Sequence, residues 1–134
     1  MRFANDYFDL EVYKASVALS DMIFDISLAF PRSEIYSLTD QIRRSSRSIG
    51  AQISEAWAKR KYEKHFISKT TDAMAEAYET RHWIETARRC GYISNEESSE
   101  LSDQCATIIK MLSSMITKSQ LFWQTNYQLT CHPL

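Results

Sequence analysis

Apolar residues recur along this chain at three- and four-residue steps, in four successive runs. In the first, Val12, Ala15, Leu19, Ile23, Ile26 and Phe30 share one face of a helix over about residues 10–30. Pro31 ends it, because a proline ring removes an N–H and clashes with the preceding turn. The second run, about 33–59, carries Ile35, Leu38, Ile42, Ile49, Ile53 and Ala56, with Glu34 in the first turn, where the helix dipole favours negative charge. The third, about 63–90, places Phe66, Thr70, Ala73, Ala77, Thr80, Ile84 and Ala87 at heptad spacing, and its small residues permit close packing. Gly91 follows as a C′ residue, free to take the left-handed conformation. The fourth, about 95–123, opens on a capping box, Ser94 to Glu97. It continues through Leu101, Cys105, Ile108, Leu112, Met115, Ser119 and Phe122. Gln124 to Leu134, with Pro133, is expected to be a flexible tail.

No Gly or Pro marks the join between the second and third runs. An unbroken helix from Ser33 to Cys90 would be about 87 Å long, too long for one small domain to cover, so a break is expected near residues 60–63. Short connections make neighbouring helices antiparallel. The pattern therefore predicts one all-α domain over 1–134, an up-down-up-down four-helix bundle.

Composition narrows the choice. Only 2 Gly and 2 Pro occur among 134 residues, too few for the many turns of a sandwich or barrel. With 44% hydrophobic and 25% charged residues the chain is globular. The most apolar stretch contains Glu11, Lys14, Asp21 and Asp25, which excludes an ordinary membrane span. No apolar segment follows Met1–Asp6, so no secretory signal is read and the cytoplasm is expected. Cys90, Cys105 and Cys131 have neither disulfide nor zinc spacing and are read as reduced thiols.

The first helix has more apolar surface than one stripe requires. Tyr13, Val17, Phe24 and Leu28 cluster opposite Val12, Leu19 and Ile26, and Ser48, Ala51 and Ser54 on the second helix would let another helix approach. Homo-oligomerisation through Tyr13, Val17, Phe24 and Leu28 is expected; a first helix buried within a monomer is the alternative.

Charge is uneven. Residues 1–30 carry net −3, residues 31–69 net +5 and residues 70–134 net −3, within a total of −1. The positive block holds Arg43, Arg44 and Arg47 on the side away from Ile42 and Ile49, and Lys59, Arg60, Lys61 and Lys64 at the join. Arginine forks and lysines along one edge attract phosphate. The competing readings are a solvated face and salt bridges to Asp6, Asp9 or Glu11 of a neighbouring chain.

Signals for catalysis are poor. Bundle metal centres need a Glu-x-x-His from each of two helices, and this chain has one match, Glu79 to His82, directed away from the core. Gly50 and Gly91 are too few for a phosphate-binding loop, and there is no nucleophile elbow. Trp57, Trp83 and Trp123 would suit base stacking, though packing is the commoner use. No catalytic residue, metal or cofactor is expected.

Several motifs together resemble a known family. They are Asp9–Ala15, Phe30–Glu34, Leu38, Gln41-Ile42-Arg43-Arg44-Ser45, Ser48-Ile49, Ile53-Ser54-Glu55, Lys64–Ile67 and Gly91–Ser94. Over about residues 6–120 the chain is similar to the bacterial four-helix-bundle family of 23S rRNA intervening-sequence proteins. More distantly it is similar to the accessory variability proteins of diversity-generating retroelements. The resemblance implies a homopentameric barrel of up-down bundles with a basic surface, a role with structured RNA or a nucleic-acid enzyme, and no catalysis. Gly50 and Ala56 stand where the family usually has proline and glycine, which leaves the end of the second helix open. Arg43 and Arg44 match the family's arginine pair, which contacts either nucleic acid or a subunit.

The expectation is a non-enzymatic, homo-oligomeric accessory protein that binds RNA or DNA through Arg43, Arg44, Arg47, Lys59, Arg60, Lys61 and Lys64. The rival is a scaffold that docks protein partners without binding nucleic acid.

Overall fold

The apolar rows fold as their spacing requires. In a computed structural model, which describes residues 3–119 and 129–130, four helices form: α1 (Glu11–Ser27), α2 (Leu38–Ala58), α3 (Glu63–Arg89) and α4 (Asn95–Thr117). Helix α1 packs on α2 and α4, and α3 packs on the same two helices. A two-residue antiparallel pair joins β1 (Phe3–Ala4) to β2 (Leu129–Thr130), so the class is all-α with one short β contact between the ends of the chain. Apart from Leu129 and Thr130, the expected tail lies outside the described residues, as do Phe122 and Trp123.

All seven residues of the third row are buried, as are Leu101, Cys105, Ile108, Leu112, Met115 and Ser119 of the fourth. Burial pushes the Cys105 thiol up to about 12. Small polar residues share this interior; the buried Oγ1 of Thr39 has no partner among the described residues, and other hydroxyls find backbone acceptors. Ser16 donates to Tyr13 O, Ser46 to Arg43 O, Thr70 to Phe66 O and Thr80 to Glu76 O, each within its own helix. Small side chains also set helix spacing. A Cβ on Gly50 would lie 3.3 Å from Ser16 Oγ and 3.4 Å from the Tyr13 ring, so α1 and α2 approach closely there.

The helix ends show where local chemistry overrides periodicity. At the end of α3, Gly91 takes φ +78° while its N–H donates to Arg88 O and that of Tyr92 to Ala87 O, a Schellman turn. Ser94 and Glu97 close the expected capping box of α4. The start of α2 differs from the sequence expectation. A 3₁₀ turn, Arg32–Glu34, follows Pro31, and α2 begins only at Leu38, which leaves Ile35 outside the core stripe and 49% exposed. Glu34 causes the delay. Its Oε1 accepts from Ser37 Oγ at 2.6 Å and from Leu38 N at 3.4 Å, and its Oε2 accepts from Tyr92 OH at 2.8 Å. These bonds hold the Glu34 carboxyl below its usual range and push Tyr92 up to about 12. They also tie the α1–α2 connection to the α3–α4 turn. Helix α1 correspondingly stops at Ser27 rather than near Phe30.

Candidate functional site

Three positions on α2 begin the charged region, and the fold sends each arginine somewhere different. Arg43 reaches back to α1: its Nε donates to Ser27 Oγ at 2.8 Å, and its guanidinium lies 4.7 Å from the centre of the Phe24 ring. Arg47, one turn on, lies 5.5 Å from the same ring. Both therefore cover part of the apolar surface that Phe24 presents.

Arg44 turns the other way, to α3. Its Nη2 donates to Glu79 Oε2, and Nη1 stands 3.7 Å from Glu76 Oε1. Trp83 Nε1 adds a second donor to Glu79 Oε2 at 3.0 Å. The Trp83 bond first, then Arg44, holds the Glu79 carboxyl below its usual range. Glu76 moves the opposite way, because burial disfavours its charge more than Arg44 supports it. Below these groups the Thr80 and Ser45 hydroxyls meet at 2.9 Å in the closed α2–α3 contact. Farther along, Lys69 bridges to Glu55 at 3.1 Å and Asp72 at 3.8 Å. The α2–α3 face is thus an ion-pair ladder within one chain. Within one chain, Asp6 and Asp9 cap the turn at Tyr7–Asp9, and Glu11 pairs with Lys14.

The chain breaks between α2 and α3 at residues 59–62, as the length limit requires. Lys59, Lys61 and Lys64 are exposed here and form no ion pair with a described residue. Arg60 does not join them in solvent. Its guanidinium stacks 3.9 Å from the centre of the Trp57 ring, and Nη1 donates to Trp57 O at 2.9 Å. Burial lowers its pKa, with Asp6 opposing. Tyr62, set among these lysines in sequence, is 60% exposed, with its ring centre 5.7 Å from that of His65. Glu63 turns toward α4 and accepts from Ser119 Oγ at 3.0 Å.

The seven basic residues consequently do not form one strip. Arg43, on α2, and Lys59, just past its end, are sixteen positions apart, about 24 Å along the helix axis. Sequence reasoning missed the partners of Arg44, which lie 32 and 35 positions away on another helix. It also missed Tyr62, whose signal was present as an aromatic residue inside a lysine run.

The second apolar face of α1 is real as a surface. Leu28 is 65% exposed, and Val17 and Phe24 are each more than a third exposed. Tyr13 is half-buried against Tyr7 and Phe8. Beside this face a groove of about 200 Å³ runs between α1 and α2, floored by Ser16, Ser46 and Gly50 and rimmed by Tyr13, Val17 and Arg47.

Glu79 and His82, the one Glu-x-x-His match, make separate contacts. Glu79 is occupied by Arg44 and Trp83, and His82 lies exposed with its ring against Trp83. Among the described residues no three His, Cys, Asp or Glu side chains gather as a metal site. No helix among them is long and apolar enough to cross a membrane.

Residues 8–114 match the family model of the 23S rRNA-intervening sequence protein. The chain belongs to this family. Among solved structures it is similar to a Bacteroides thetaiotaomicron protein of the S23 ribosomal protein family, described as having unknown function. The two share 31% identity, with 79% of this chain and 95% of that one covered and a TM-score of 0.71. No curated protein matches the chain. The TM-score shows that the neighbour shares this fold, and neither comparison points to catalysis.

Proposed function

We propose that this family member is a non-enzymatic accessory protein that binds RNA or DNA by charge in the cytoplasm. In this reading it is an antiparallel up-down-up-down bundle that assembles as a homo-oligomer, five copies by family resemblance. The observation that carries the binding is at the α2–α3 turn: Lys59, Lys61 and Lys64 are exposed and unpaired among the described residues, whereas Arg44 is neutralised on α3. Three cations within six residues attract phosphate, and an oligomer repeats them around its axis.

The test is a titration of labelled structured RNA from low to physiological salt. Each phosphate contact contributes about −0.9 to the log–log slope for duplex DNA and about −0.7 for single strands. Binding that weakens along such a line supports the reading; no binding even at low salt removes it.

The exposed Val17, Phe24 and Leu28 favour a second reading, a scaffold that docks protein through α1. The self-assembly half of the proposal uses this same face. Sedimentation of the wild type and of Phe24→Glu with Leu28→Glu separates them: dissociation by the double variant supports self-docking, and a wild type that is monomeric at every concentration leaves the face to another protein.

A further inference from the structure

We infer that the α2–α3 turn is a single-stranded nucleic-acid site in which Tyr62 is a stacking platform and Lys59, Lys61 and Lys64 hold the flanking phosphates. This rests on the electrostatic reading above and deepens it by naming the form of the ligand.

A lysine cluster alone binds duplex and single strand through the same phosphates. What distinguishes this turn is an aromatic face inside the cluster. Tyr62 is 60% exposed, and its ring does not pack into the core. It stands between Lys61 and Glu63 in sequence, with Lys59 three positions before and Lys64 two after. His65 stands beside it with ring centres 5.7 Å apart. The turn backbone is fixed. Tyr62 N–H donates to Lys59 O at 2.9 Å, and Phe66 N–H donates to Tyr62 O at 2.9 Å. A ring whose backbone is already held loses little entropy when a base stacks on it.

The other aromatics suit the role less well. The Trp57 ring is covered by the Arg60 guanidinium at 3.9 Å, and Trp83 is spent on Glu79. Tyr78 lies between the acidic Glu76 and Glu79 in sequence. Tyr36 is more exposed than Tyr62 but belongs to the α1–α2 connection beside Glu34, with no lysine near it in sequence. The acidic groups near the turn are directed elsewhere: Glu63 accepts from Ser119, and Asp6 caps the turn at Tyr7. Each duplex base is already stacked on both sides, so a lone ring on a rigid turn has no face to meet. An unpaired base offers one.

The test measures anisotropy of labelled 15-nucleotide oligo-U, oligo-dT and a 15-base-pair RNA duplex with the full chain and its variants. Circular dichroism confirms that each variant is folded. Tyr62→Ala is expected to weaken both single strands about tenfold and to change the duplex less than twofold. Tyr62→Phe, which keeps the ring, should restore the single strands to within twofold of wild type. The U and dT arms identify which strand chemistry the site takes; a ring-dependent loss in either supports the inference. If Tyr62→Ala lowers duplex and single-strand affinity equally, or lowers neither, the stacking platform is overturned while charge-driven binding stands. If wild type binds none of the three at low salt, the electrostatic reading falls, and the platform with it.

Discussion

Two groups of cations, one on α2 and one at the turn that follows it, meet opposite fates. At the middle of α2, Arg43 is held by Ser27 and Phe24 of α1, and Arg44 by Glu76 and Glu79 of α3. At its end, Lys59 and the neighbouring Lys61 and Lys64 have no such partners among the described residues. The difference lies in what stands opposite. In mid-helix, neighbouring helices run alongside and supply carboxylates or rings. At a turn the bundle ends, and the long side chains reach water. Positive charge in mid-bundle therefore serves cohesion, and positive charge at the turn is available to an outside ligand.

Reversal of the turn gives the largest effect. Lys59→Glu, Lys61→Glu and Lys64→Glu together should lower nucleic-acid affinity at low salt by at least about a hundredfold, while the urea midpoint stays close to wild type. Arg44→Ala should lower affinity by less than about threefold in the same titration, since that charge is already compensated. Equal losses from both would erase the contrast between the two regions.

Next in size is Arg43→Ala, read in stability rather than binding. It removes a hydrogen bond to the buried Ser27 hydroxyl and a cation–ring contact with Phe24, and should cost about 1–2 kcal/mol in urea unfolding. Arg43→Lys should recover only part of this, because an ammonium lacks the flat fork that both bonds and stacks. A variant as stable as wild type would return Arg43 to the pool of available cations.

Much of this architecture was legible in the chain. The buried rows of α3 and α4 follow heptads, Gly91 marks a left-handed turn, and Ser94 with Glu97 marks a helix start. These are local rules, and nothing distant overrides them. The start of α2 was not legible, since Glu34 reads as a first-turn acid until Tyr92, 58 positions away, is seen to bind it. The charged region was legible as charge and not as geometry. Arg43 and Arg44 are adjacent in sequence yet project to opposite neighbours, and the partners on α3 lie outside any window of local pattern. Ile35 fits the apolar period of α2 but falls in the preceding turn, because periodicity cannot tell a helix from its extrapolation.

Arg44→Ala should cost about 0.5–1 kcal/mol at neutral pH, in the range of a partly exposed pair. Its pH dependence shows whether charge carries the effect. The folded chain holds Glu79 below its usual pKa, so that carboxylate contributes stability above the ordinary carboxylate range and loses it as pH falls through the depressed value. The gap between wild type and Arg44→Ala should therefore close on acidification, when neither Glu79 nor Glu76 is charged. A gap that persists at low pH would mean that Arg44 acts through packing of its stem rather than through charge.

Glu76→Gln should give the smallest change, and its sign is the informative part. Glu76 Oε1 is buried without a hydrogen bond, and the Arg44 nitrogen nearest it stands at 3.7 Å, beyond bonding distance. Burial raises its pKa, and repulsion from Glu79 and Asp72 adds to that, against the pull of Arg44. A carboxyl with a raised pKa opposes folding once it ionises, so its cost appears as pH rises through the folded value and vanishes in acid. Glutamine keeps the shape and removes the charge. The variant should thus gain a few tenths of a kcal/mol at neutral pH and match wild type in acid, as read by paired urea titrations. It should also leave Arg44 bound to Glu79 alone, so a second substitution, Arg44→Ala in the Glu76→Gln background, should still cost nearly its single-variant amount. If instead the two losses coincide and the double variant is no worse than Arg44→Ala, then Glu76 rather than Glu79 is the residue that neutralises the arginine. The mid-helix region would then owe its closed charge to a buried carboxylate, unlike anything at the α2–α3 turn.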